Sequence, residues 1–171
     1  MPNWSEGVLK IRGTKEQIEN FIRNGIAYED YKFNLGTDKQ DNRGLIETSV
    51  PRDCPIEIGE DEITVKNTMD LYIKDTRRMF INSKDIYTYY RNSKEENKFI
   101  IYIDVRQAWG IIAGNLQEIS KKYGVDFKIL ATEQGMEFCQ DVEIVNGEIV
   151  TNDDITFDDF QWEAPDPRIG G

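Results

Sequence analysis

Hydrophobic and polar positions change period several times along the chain, and the changes mark out its elements. From Gly7 to Arg12 the apolar residues Val8, Leu9 and Ile11 alternate with polar ones, the period of a strand. Gly13-Thr14 then breaks the pattern. Thr14 with Gln17 three residues on forms a capping box, and Ile18, Phe21, Ile22 and Ile26 follow at helical spacing. Gly25 is the expected stop for that helix.

Residues 28–61 are polar and broken by Gly36, Gly44, Pro51 and Pro55, which predicts an irregular insertion with at most one short strand. Period-two runs resume at Glu62–Lys66 (Ile63, Val65) and Asp70–Lys74 (Leu71, Ile73). Ile86–Tyr90 fits either a helix or an extended segment. Phe99, Ile101, Ile103 and Val105 share one strand face and Ile100 and Tyr102 the other, which predicts a central strand covered on both sides. Trp109-Gly110 is expected to open a second helix carrying Ile112, Leu116, Ile119 and Tyr123, with Gly124 ending it. Val125, Phe127 and Ile129 begin another strand. Val142–Val150 then reads as a hairpin turned by Asn146-Gly147, the dipeptide suited to a type I′ turn.

The tail, residues 153–171, mixes acids with Ile155, Phe157, Phe160 and Trp162, and is expected to pack its aromatics partly and to fray at its end. The order is one strand and helix, then several strands, then helix, strand and hairpin. It predicts a single α+β domain over 1–171: a ferredoxin-like, split βαβ sandwich with a mostly antiparallel sheet and two helices.

Composition narrows the chemistry. The 171 residues contain no histidine, so the usual general base, the usual metal ligand and Ser/His or Cys/His nucleophile systems are all missing. Cys54 and Cys139 lack metal-site spacing and are expected to be reduced thiols. Neither an apolar run of membrane-spanning length nor a leader pattern at Met1–Glu6 is present, so a cytoplasmic protein is expected.

The net charge is −11, and it is concentrated. Residues 129–167 hold eleven Asp and Glu and no Lys or Arg, while the rest of the chain is balanced. Such a segment repels phosphate backbones and attracts basic surfaces. Alternatively it is only a solubilising face.

The opening Asn3-Trp4 leading into Gly7-Val8-Leu9-Lys10-Ile11-Arg12-Gly13-Thr14 resembles the start of a YubB-like ferredoxin-fold family. Trp109-Gly110, Tyr123-Gly124-Val125 and Glu133–Phe138 are similar to the second half of the same family; residues 28–98 are not covered. The resemblance implies the fold and an origin in phages, plasmids or integrative elements. It implies no reaction and no catalytic residues.

Three constellations remain. Glu148, Asp153, Asp154, Asp158 and Asp159, with Phe157, Phe160 and Trp162 as apolar anchors, make a candidate face for a basic host protein such as a nucleic-acid-binding defence protein. Arg77, Arg78 and Arg91 with Tyr87 and Tyr89, within the basic-aromatic stretch 74–94, are the alternative, a nucleotide or nucleic-acid surface diluted by interspersed acids. Asp153, Asp154, Asp158 and Asp159 as a cation site, and with it a carboxylate-dependent metal enzyme, come third, because their spacing matches no calcium loop and a solvated acidic run is the simpler account. Trp4 and Trp109 are expected in core or cap positions. The resulting expectation is a non-catalytic binding protein without cofactor or metal, monomeric or paired through a sheet edge.

Overall fold

Strand β1 (Trp4–Gly13) feeds helix α1 (Lys15–Gly25) through Thr14, whose hydroxyl accepts the Gln17 amide at 3.2 Å while the Gln17 side chain accepts the Thr14 amide at 2.9 Å. The capping box therefore forms as its spacing predicts. Ile18, Phe21 and Ile22 turn the buried stripe of α1 inward. The second helix, α2 (Ala113–Tyr123), ends where Gly124 takes φ +69 and donates its amide to the Ser120 carbonyl at 2.8 Å. A residue with a Cβ adopts that left-handed conformation only at a cost. The structure, a computed structural model, describes residues 3–34, 46–52, 55–66, 70–76, 79–83 and 85–171, and for 29–34 and 46–52 the backbone alone.

The remaining strands are β2 (Ile26–Asn34), β3 (Ile46–Arg52), β4 (Ile56–Ile58), β5 (Glu62–Lys66), β6 (Leu71–Ile73), β7 (Met79–Ile81), β8 (Asp85–Tyr89), β9 (Arg91–Asn92), β10 (Phe99–Ala108), β11 (Asp126–Glu133), β12 (Phe138–Val145) and β13 (Glu148–Thr156); a four-residue helix, α3 (Phe160–Glu163), follows. Among the described residues they form a large antiparallel sheet in the order β13-β12-β11-β1-β10-β7-β6-β2-β3, with β9 paired to β10, and a small sheet β4-β5-β8. The protein is thus α+β with few helices and a mostly antiparallel sheet. Strands β1 and β2, on either side of α1, run in the same direction. Between them lie β10 and the β6–β7 pairing.

One face of the large sheet is covered. Leu9, Ile11, Ile101, Ile103, Val105, Phe127 and Ile129 meet Ile18, Phe21 and Ile22 of α1 and Leu116, Ile119 and Tyr123 of α2, and the small sheet adds Ile63, Val65 and Ile86 to the same core. Phe21 locks the layers, its ring edge-on to Tyr123 at 5.6 Å and Phe127 at 5.5 Å. The other face is open over much of its area: Val8, Tyr102 and Leu130 are exposed there. The double coverage expected of β10 is therefore wrong. Its second row, Ile100 and Tyr102, is apolar without being fully buried.

Several other expectations are corrected. Where residues 28–61 are described they are not irregular with one short strand: β2 and β3 pair over seven positions, Tyr28 to Asn34 against Arg52 to Ile46. Pro51 is tolerated because β3 is the outermost strand, where a missing amide breaks no ladder on the free side. Gly36 and Gly44 lie outside the described residues, as does Cys54. Residues Ile86–Tyr89 are extended, within β8. Trp109-Gly110 does not open α2. Both residues have positive φ, +68 and +118, and the helix starts after Ile112, its N-cap. The chain end is tied down rather than frayed: Gly171 donates to the Trp4 carbonyl at 2.9 Å and accepts the Trp4 amide at 3.3 Å. Asn146 and Gly147 take φ +51 and +76, the turn their sequence predicts.

Candidate interaction surface

The acidic segment is built on an edge. Strand β13 ends the sheet, and eight of its nine residues are exposed, Thr151 being the exception. Ile149 and Val150 are exposed on it, Val150 to 62%, among Glu148, Asp153 and Asp154. An outer strand with apolar residues in water is a docking edge unless charge keeps partners off.

Side chains alternate along a strand, so Asp153 and Asp154 face opposite sides of the sheet. On the helix-covered side, Asp154 accepts the Gln140 amide at 2.9 Å, and Gln140 in turn accepts the Ile111 backbone amide at 2.6 Å. Asp153 lies directly opposite Asp141 in the ladder, two carboxylates where an unlike pair would be stabilising.

The eleven acids do not act alike. Glu133 is buried and accepts the amides of Gly135 at 2.9 Å and Met136 at 2.5 Å. Glu143 is neutralised by Lys128 at 2.7 Å across the β11–β12 ladder, which raises the lysine pKa. Asp166 is held by Arg168 at 2.9 Å, which keeps its carboxyl below the usual range. Asp159 is the N-cap of α3 and accepts the Trp162 amide at 3.3 Å, and Glu163 accepts the amides of Asp158 and Asp159 at 3.1 and 3.3 Å. Among the described residues, Glu137, Glu148, Asp153 and Asp158 are exposed without any such engagement.

The three anchoring aromatics divide. Phe160 is 4% exposed and packs with Cys139, Ala164 and Phe157 on the open side of the sheet, so it cannot anchor a partner. Phe157 is half-buried, its ring edge-on to Phe160 at 5.8 Å. Trp162 is 86% exposed and alone meets the expectation. Cys139 sits beside the Thr132 hydroxyl at 3.3 Å as a buried thiol.

Trp109 corrects the reading in the other direction: it is 63% exposed. Its amide donates to Asn3 at 2.9 Å, and the Asn3 side chain closely borders Gly135, so Trp109 and the exposed Met136 flank the same residue. A bulky side chain at φ +68 is an outlier, and this one lies at the surface rather than in the core. Trp4 is partly buried, edge-on to Phe80 at 5.9 Å with the Arg106 guanidinium 5.0 Å from its ring centre. The expectation that Trp109-Gly110 opens a helix hid this position, because the left-handed φ of both residues breaks the chain direction before α2 begins.

The described part of the alternative constellation is split between the two sheets. Arg77 and Arg78 lie outside the described residues. Tyr87 and Tyr89 are exposed on the small sheet, their hydroxyls 2.5 Å apart, and Tyr87 donates to Glu62 at 2.9 Å. The Tyr89 hydroxyl first and Glu62 second raise the Tyr87 pKa, so these rings border a carboxylate rather than a cation. Arg91 belongs to the large sheet, 5.6 Å from the Tyr102 ring centre. Among the described residues no three acidic or thiol side chains are arranged to hold a metal ion, and no helix is long and apolar enough to cross a membrane. Compared with protein-family models, curated proteins and solved structures, the chain matches none.

Proposed function

We propose that this is a non-catalytic accessory protein of a bacteriophage or mobile element, acting by binding a basic host protein of the nucleic-acid-handling or defence kind. The contact surface is the acidic edge formed by Glu148, Asp153 and Asp158 with Val150 and Trp162. The observation that carries the reading is β13 itself: an outermost strand, exposed along its length, bearing apolar residues among unneutralised acids. Spaced carboxylates along an extended edge offer a basic groove what a phosphate backbone offers, and they speed encounter. Val150 and Trp162 add the desolvated contacts that charge alone lacks. The fold is read as a split βαβ sandwich enlarged by β6 and β7 between its third and second strands and by the β13 edge. The resemblance of the Asn3-Trp4 opening supports the mobile-element origin.

Charge reversal tests the reading. Lysine at Glu148, Asp153 and Asp158 leaves folding intact, because none of these side chains is engaged in the described structure, and abolishes partner capture. Asp154 and Asp159 are left unchanged, since they bond Gln140 and cap α3. Retained capture at equal affinity eliminates the acidic edge as the binding surface.

A further inference from the structure

We propose that the partner of the acidic edge docks as an added strand: an extended segment with two adjacent lysines or arginines pairs antiparallel with residues 151–156 of β13. The inference rests on the acidic-edge reading and adds the mode of contact and the chemistry of the bound segment.

The large sheet has two outer strands, β13 and β3. Pro51 deprives the free side of β3 of an amide, whereas β13 contains no proline. Among the described residues only β12 pairs with β13, so every second amide and carbonyl of β13 points away from the sheet without a strand to meet it. The register slips between Glu143 and Ile144, where Val150 is the extra residue on β13. Beyond that bulge, residues 151–156 pair without interruption against Glu143 back to Phe138, a length that suits one more strand.

The side chains choose the occupant. Asp153 and Asp154 are adjacent and therefore leave opposite faces of the sheet, so an added strand sets two consecutive residues against them, one on each face. On the open face Asp153 already opposes Asp141, and Oδ1 of Asp141 is closed off from water without a hydrogen-bond partner. A long cationic side chain opposite Asp153 lies along this carboxylate pair and relieves its repulsion. On the helix-covered face Asp154 bonds Gln140 through Oδ1, which leaves Oδ2 for a second donor. Ile155, 36% exposed on the face of Asp153, gains cover from an apolar residue of the added strand. A second copy of this chain fits poorly, because pairing β13 with itself sets the same acids against each other.

Backbone amide NMR of the full chain with the acetylated, amidated peptide Thr-Val-Lys-Lys-Thr-Val is the test. The peptide shifts the amides of residues 151–156, slows exchange of those on the outer side about tenfold, and binds more weakly as salt is raised. Thr-Val-Glu-Glu-Thr-Val does not bind. The lysine peptide N-methylated at both lysines keeps its charge but loses one amide on each of its edges, and it binds about tenfold more weakly than the parent. No binding by the lysine peptide, equal binding by the glutamate peptide, or a free chain that is already dimeric with its outer β13 amides protected overturns the proposal. Equal binding of the methylated and parent peptides, lost in the variant with lysine at Glu148, Asp153 and Asp158, overturns the added strand and leaves the acidic edge standing. Equal binding of the parent peptide by that variant and by wild type removes both.

Discussion

Asp126 and Asp153 lie on one sheet, two strands apart, and have opposite surroundings. Asp126 is 5% exposed; Arg12 reaches it at 2.9 Å, Lys98 at 3.4 Å and the Asn146 amide at 2.8 Å. It joins β1, β11 and the hairpin turn. Asp153 is exposed, faces Asp141 and makes no ion pair among the described residues. A net charge of −11 is thus two populations. One is integral to the fold. The other sits on an edge where it adds nothing to stability, the pattern expected where a surface serves a partner or repels one.

The contrast gives graded expectations. Asp126→Ala leaves the Asn146 turn amide unsatisfied and Arg12 and Lys98 with Glu95 as their shared carboxylate, and lowers unfolding free energy by about 3 kcal/mol in urea titration. A loss under about 1 kcal/mol removes Asp126 from the structural set. Glu133→Gln can satisfy only one of the two amides it now accepts and costs about 2 kcal/mol, read in the same way.

Asp153→Lys has the opposite sign. It replaces a like pair with an unlike one opposite Asp141 and stabilises by about 0.5 kcal/mol. A clear destabilisation means that Asp153 has a structural role that the ladder does not reveal.

The smallest effect is alkaline. Burial first, then the Glu19 carboxylate, pushes the Tyr90 pKa up to about 12. Unfolding lets the phenol ionise nearer 10, so its contribution is complete below that pH and is lost as pH rises towards 12. The stability difference between wild type and Tyr90→Phe should therefore be flat to pH 10 and narrow or reverse above it. A flat difference throughout contradicts the shift.

Local signals carried much of the core into view. The Thr14 and Gln17 pair, Gly124 and Asn146-Gly147 each require one backbone geometry, and each adopts it. What stayed hidden depends on distant partners. Strands β2 and β3 have mixed, irregular patterning, and what makes them strands is their ladder with each other and that of β2 with β6. The acid-only segment is less uniform than its sequence for the same reason: Lys128 and Arg168, just outside it, neutralise acids within it. Phe160 and Trp162 are two residues apart and both aromatic, yet α3 sends one inward and leaves the other in water.

The most direct measurement is quantitative affinity capture from bacterial lysate by wild type and by the variant carrying lysine at Glu148, Asp153 and Asp158, repeated across a salt series. The acidic edge predicts that wild type retains a basic protein that salt releases steeply, and that the variant, equally folded, retains none of it. Capture of the same protein by both, with the same salt dependence, contradicts it.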